Sequence, residues 1–157
     1  MIKHVPDRQD MTPRENEQMF EQEISTMAAL SMYPTIVTLV GYTSMPRCII
    51  MPLFSSGDLF SLINKPTEPL NALQQAEIAL DIAAGMAAVH SIGVVHRDLK
   101  TPNCLIERQN RASTEATKQF GPRYKVFITD FGVCRVRESS VAISGQTFLN
   151  VFGLSYR

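Results

Sequence analysis

The chain has 157 residues, enough for one domain with a buried core. Its hydrophobic content of 45% and charged content of 19% are those of a globular protein and argue against disorder. Lys+Arg and Asp+Glu balance at 15 each, which gives no case for nucleic acid or an anionic membrane as partner.

No apolar stretch approaches the roughly 20 residues of a membrane span, and the polar turn after Met1-Ile2-Lys3-His4-Val5 is unlike a secretory signal. The three cysteines, Cys48, Cys104 and Cys134, are odd in number and far apart. They fit reduced, buried thiols in the cytoplasm better than a disulfide framework or a zinc site.

The first helix is marked by Thr12 as N-cap, Pro13 at the first helical position and Glu15 completing a capping box. Phe20, Ile24, Met27 and Ser31 follow at helical spacing, and Tyr33-Pro34 ends the run. Glu23 stands on the otherwise apolar line of Met19, Met27 and Leu30, where a carboxylate needs a partner.

Two runs rich in β-branched residues, Ile36 to Tyr42 and Arg47 to Met51, read as strands. After the breakers Pro52 and Ser55-Ser56-Gly57, a long helix is predicted over Ala72 to Ser91, with Asn71 as N-cap and Gly93 just past its end. Apolar residues wrap most of the way round it, Leu73, Ala76, Leu80, Ala83 and Ala87 on one side and Ile78, Ile82, Met86 and Val89 on another. That pattern predicts a largely buried helix. Val94-Val95, Leu105-Ile106 and Val126-Phe127-Ile128 read as short strands, and Glu107 to Arg123 as a long polar surface insertion. No internal repeat and no linker between domains is visible.

Two segments carry the chemistry: His96-Arg97-Asp98-Leu99-Lys100-Thr101-Pro102-Asn103, and Thr129-Asp130-Phe131-Gly132 directly after a strand. Together, in this order, they resemble the catalytic loop and the Asp-Phe-Gly metal motif of eukaryotic-type protein kinases. The resemblance implies an α+β, two-lobed kinase fold and transfer of the ATP γ-phosphoryl group to a protein hydroxyl. Such a transfer depends on positioning and charge neutralisation more than on covalent help. By the resemblance, Asp98 serves as catalytic base, Lys100 offsets phosphate charge, and Asn103 and Asp130 hold magnesium. Arg97 is expected to face a phosphorylated residue in the activation segment, with His96 and Phe131 packed in the core.

The likeness extends outward. Phe20-Glu21-Gln22-Glu23-Ile24 and Tyr33-Pro34-Thr35-Ile36-Val37 resemble helix C and the strand after it. Glu23 would then pair with the strand-three lysine, expected roughly 15 to 20 residues upstream. Lys3 is the only lysine before Glu23. Glu21 competes for the role but lies off the apolar stripe. Cys48 to Phe54 resembles strand five and the hinge, with Met51 as gatekeeper and Leu53 offering backbone groups to adenine. Asp58 is placed near the ribose or as a helix N-cap, two compatible roles, and Leu105 is counted among the ATP-facing residues.

Lys100 and the run through Asn103 look most like the tyrosine-kinase-like group, whose members are mostly Ser/Thr-specific. The implied partners are ATP with Mg2+ and a protein substrate bearing Ser or Thr. Ser139, Ser140, Ser144 and Thr147 are candidate phosphorylation sites.

The expected layout is an N-lobe remnant over 1–51, a hinge over 52–57 and the start of a C-lobe over 58–157. No glycine-rich loop precedes Lys3, and Val151 to Arg157 resembles the run-up to Ala-Pro-Glu. The domain is therefore expected to lack its first two strands and its later C-lobe helices, to expose apolar surface and to hold ATP weakly. An incomplete Ser/Thr kinase, an inactive truncated paralogue and a pseudokinase binding module all remain open at this point.

Overall fold

The computed structural model describes residues 1–65, 69–111 and 120–136. In chain order, β1 (Ile2–His4) leads to α1 (Pro13–Leu30), then β2 (Gly41–Ser44) and β3 (Arg47–Ile50). Next come α2 (Leu59–Ile63), α3 (Ala72–Ser91) and β4 (Val94–Val95). A 3-10 turn at Thr101–Asn103 runs into β5 (Cys104–Gln109), followed by β6 (Arg123–Ile128) and β7 (Arg135–Val136).

Among the described residues the strands form three antiparallel groups: a sheet in the order β1-β3-β2, the pair β4-β7 and the hairpin β5-β6. Lys3 pairs with Ile49 on the sheet's edge strand. In the hairpin, Leu105 stands opposite Phe127.

α1 starts as its sequence dictates. Thr12 Oγ1 accepts from Glu15 N, and Glu15 Oε2 accepts from Thr12 N, a closed capping box. α3 is capped in the same way by Asn71 and Gln74 and ends before Gly93, whose φ of 73° is one that glycine adopts without strain. Phe20, Ile24, Met27 and Leu30 of α1 meet Ile49, Val89, Ile128 and Phe131 in the main core. Burying side chains of this size contributes about 1.5–3 kcal/mol each.

Three expectations need correction. The segment from Ile36 is not a strand up to Tyr42: only Gly41–Ser44 joins the sheet. Thr35 to Val37 instead straddles Ile128, with Ile128 N donating to Thr35 O and Val37 N to Ile128 O, so its β-branched side chains serve the core between the sheets.

α3 is not largely buried. Its Ile78, Ala88 and Val89 are buried, but Leu73, Ala76, Leu80, Ala83 and Ala87 are exposed, Leu80 by 67%. This stripe leaves part of the apolar surface of the described residues open to solvent.

The polar stretch 107–123 is shorter than read, because Glu107–Gln109 and Arg123–Lys125 continue the β5-β6 ladder. Arg111 anchors its base on Glu77 and on Gly121 O, while residues 112–119 lie outside the described part.

Candidate active site

Lys3 Nζ lies 2.8 Å from Glu23 Oε1 and 2.7 Å from Asp130 Oδ1. Three separate segments, β1, α1 and the loop after β6, thus converge on one ammonium. Glu23 is 2% exposed, which answers the need for a partner raised by its place on an apolar stripe. Burial pushes its carboxyl above the usual range, against the attraction of Lys3. For Lys3, burial works against the charged form, but Glu23 and Asp130 outweigh it and hold the ammonium's pKa above its ordinary value. Glu21 is exposed, on a different face of the helix.

The residues of the His96–Asn103 segment form a second cluster. Lys100 Nζ lies 2.7 Å from Asp98 Oδ2, and Asn103 Nδ2 donates to Asp98 Oδ2 at 3.0 Å and to Asp98 O at 2.9 Å. The hydrogen bond from Lys100, with a further one from Asn103, holds the Asp98 carboxyl below the usual aspartate range. His96 is 1% exposed. Its Nε2 donates to Thr129 O at 3.0 Å while Nδ1 accepts from Asp98 N, and its ring packs against that of Phe131 with centroids 5.0 Å apart and planes tilted by 52°. Thr129 N donates to Asn103 O at 3.1 Å, tying the two motif segments together through their backbones.

Arg97 and Asp130 both have positive φ, 65° and 69°, in the left-handed region where non-glycine residues are uncommon. Such strain is retained where surrounding contacts over-determine it. Arg97 Nε donates to Val133 O at 2.6 Å. The candidate phosphorylation sites Ser139, Ser140, Ser144 and Thr147, and the stretch 151–157, lie outside the described residues.

The remaining site candidates line the connection between sheet and hairpin. Met51 is buried and exchanges backbone hydrogen bonds with Met1. Leu53 is 74% exposed. Asp58 caps α2 by accepting from Ser61 N at 2.8 Å and forms a β-bridge to half-buried Leu105.

Magnesium takes hard oxygen ligands and is usually held by one or two protein groups together with phosphates and water. The donors present fit that pattern. Among the described residues, Asn103 spends its amide nitrogen on Asp98, leaving its oxygen, and Asp130 meets Lys3 through Oδ1, leaving Oδ2. Among the described residues no group of three or more His, Cys, Asp or Glu forms an all-protein metal cage.

Sequence reasoning missed Gln22 and Thr26 of α1, which touch Cys134 just beyond Gly132. Their spacing of four puts them on one helix face, but nothing in the sequence points that face at Cys134.

Residues 1–151 match the family model described as protein tyrosine and serine/threonine kinase. The chain is 32% identical over 143 residues to the probable serine/threonine-protein kinase SIS8 of Arabidopsis thaliana, covering 88% of this chain and 12% of that protein. It is 34% identical over 116 residues to the probable serine/threonine-protein kinase pats1 of Dictyostelium discoideum, covering 73% and 3%. Over 111 residues it is 36% identical to the serine/threonine/tyrosine-protein kinase HT1 of Arabidopsis thaliana, covering 68% and 28%. The matched stretch is thus a small part of each relative's length. With the motif residues assembled as described, the chain belongs to the protein tyrosine and serine/threonine kinase family.

Proposed function

We propose that this chain binds ATP with magnesium and carries the catalytic residues of a protein serine/threonine kinase, Asp98 being the catalytic base. One observation carries the reading. Lys3 bonds at once to Glu23, 20 residues away, and to Asp130, 127 residues away, as a lysine poised for phosphate between a helix and a metal-holding loop requires.

Among the described residues, both bonds to the Asp98 side chain fall on Oδ2, and Oδ1 is the oxygen proposed to meet a substrate hydroxyl. The hydroxyl oxygen forms the new bond to the γ-phosphorus as the bond to ADP breaks. ADP keeps that electron pair, and the hydroxyl proton passes to Asp98. A carboxylate with a lowered pKa is a weak base, so Asp98 first orients the hydroxyl and takes its proton late, which suits a loose transition state. Lys100 offsets charge on the moving phosphoryl group. Asn103 and Asp130 would hold magnesium, whose chemistry is to neutralise and align phosphate oxygens.

In this reading residues 1–51 form the small lobe, 52–57 the hinge and the chain from 58 the large lobe. Met51 stands at the gatekeeper position, Leu53 offers its backbone to adenine, Leu105 supports the adenine from the large lobe, and Asp58 reaches the ribose while still capping α2. The protein substrate would be met in the cytoplasm, a compartment in keeping with three buried free thiols.

The test is thermal unfolding with and without Mg-ATP. Binding at about 100 times Kd adds about 2.7 kcal/mol and raises Tm by several degrees. Lys3→Met and Asp130→Asn should each abolish the rise. An unmoved Tm for the wild-type chain at millimolar Mg-ATP refutes the nucleotide site. Transfer of labelled phosphate to serine or threonine of a protein substrate, lost in Asp98→Asn, tests the chemical step.

A further inference from the structure

We propose that Gln22 is a positioning residue: by tying the turn after Asp130 to α1 through Cys134, it sets how Glu23 and Asp130 converge on Lys3. The proposal rests on the nucleotide-site reading for its consequence, but its geometry can be tested without nucleotide.

The turn runs from Phe131 to Cys134 and is closed by Cys134 N donating to Phe131 O at 3.1 Å. It is gripped from two sides. From the catalytic loop, Arg97 Nε donates to Val133 O. From α1, Gln22 Nε2 donates to Cys134 O at 3.3 Å and lies 3.9 Å from Cys134 Sγ, while Thr26 Oγ1 lies 3.6 Å from the same sulfur. Thr26 and Cys134 are buried, so the thiol end of this contact is shielded from water.

Gln22 precedes Glu23 directly, so a shift of one moves the other. α1 contributes no strand to the sheet that carries Lys3, and its docking relies on side chains. Met27 and Phe131 share the main core, but apolar packing is non-directional and permits small slides or rotations. A side-chain amide on a backbone carbonyl has a preferred direction and fixes the register. The fit is already close: a β-carbon on Gly132 would stand 3.2 Å from Glu23 Oε2. A small rotation of α1 would therefore break the convergence on Lys3.

The experiment compares wild type, Gln22→Met, which keeps length and loses the donor, and Gln22→Lys, which restores a donor. In the nucleotide-free full chain, iodoacetamide alkylation of Cys134 and acetic anhydride acylation of Lys3 are followed by peptide mass spectrometry. Cys104 and Lys125 serve as internal references. Burial raises the pKa of the Cys134 thiol, which keeps it protonated and slow to react while it is enclosed.

Gln22→Met should speed modification of both Cys134 and Lys3 about fivefold relative to the references, the size of effect one ordinary hydrogen bond confers. Gln22→Lys should return both toward wild type. Unchanged Lys3 reactivity in Gln22→Met overturns the proposal, as does a uniform rise at all four sites, which marks general loosening. Mg-ATP affinity, measured separately, should fall with the Lys3 effect. Failure of the wild type to bind Mg-ATP defeats the nucleotide reading and leaves the Lys3 and Cys134 result to decide the clamp.

Discussion

Gly132 passes so close to Glu23 that a β-carbon there would lie 3.2 Å from Glu23 Oε2 and 3.8 Å from Asp130 Oδ1. The glycine of the Asp-Phe-Gly segment thus leaves room for the carboxylate that holds Lys3. The Glu23 carboxylate cannot retreat freely, because Oε1 is bonded to Lys3. Gly132→Ala should therefore weaken Mg-ATP binding several-fold while lowering stability by about 1–3 kcal/mol. Calorimetric titration and urea unfolding check the two effects, and unaltered nucleotide affinity would refute the proposed crowding.

Removing Lys3 leaves Glu23 buried without its cation. Breaking an enclosed ion pair costs about 3–5 kcal/mol, and with the Lys3 side chain 32% exposed the cost here should be nearer about 2 kcal/mol at neutral pH. The pH dependence has a definite sign. Burial raises Glu23's folded pKa above its unfolded value, so the folded chain binds the proton more readily, and loss of Lys3 raises that pKa further. Lys3→Met should therefore be least stable, relative to wild type, above Glu23's raised range. The difference should shrink as pH falls through that range. Adding Glu23→Gln should flatten the dependence, as followed by urea unfolding across pH.

Gly85 faces Ile128 across the α3-β6 contact, where an added β-carbon would meet Ile128 Cδ1 at 2.7 Å and Thr35 O at 3.2 Å. In an open helix, replacing glycine by alanine stabilises by about 0.5–1 kcal/mol. Here Ile128 is fully buried and flanked by the backbone of Thr35 and Val37, so it has nowhere to move. Gly85→Ala should instead destabilise by about 1–3 kcal/mol, measured by thermal unfolding. A rise in Tm would show that β6 yields at this point.

The features read correctly from sequence are those written in short contiguous strings. Thr12 to Glu15 state their capping geometry within four residues, and the His96 and Asp130 motifs state the family. What was misread depends on distant partners. Ile36 and Val37 have strand chemistry, but the backbone bonds of this segment run from Val37 N to Ile128 O and from Ile128 N to Thr35 O, while Ile36 N turns back to Tyr33 O. The polar ends of β5 and β6 look like loop because one hairpin face meets solvent: along β6, buried residues alternate with half-exposed ones. The contact of Gln22 with Cys134 spans 112 residues, a separation no local pattern encodes.

Periodicity also cannot tell which apolar helix face has a partner. On α3 the side of Ile78 and Val89 is covered, and the side of Leu73 and Leu80 is open. An exposed apolar stripe of this kind favours self-association. Leu80→Lys should leave Tm within about 1 °C, as surface substitutions with no buried contact do, and should lower light scattering in concentrated solution. Unchanged scattering would point to a different adhesive surface.

Asp98 offers the sharpest pH test of the proposed chemistry. The hydrogen bond from Lys100 is the largest influence holding its carboxyl below the usual aspartate range, and Asn103 adds to it. The proposed step needs Asp98 ionised to receive the hydroxyl, so activity should persist to lower pH than an unperturbed aspartate would allow. Lys100→Met removes the principal cause, and the carboxyl should then titrate at higher pH. The acid limb of kcat/KM should move upward with it, besides the fall in rate from losing charge on the phosphoryl group. Carbon-detected NMR titration of the Asp98 carboxyl reads the shift without any turnover. If that titration stays in place in Lys100→Met, the Lys100 contact does not govern Asp98 ionisation. A moved titration with a fixed acid limb would assign the limb to another group and remove Asp98 from the role of base.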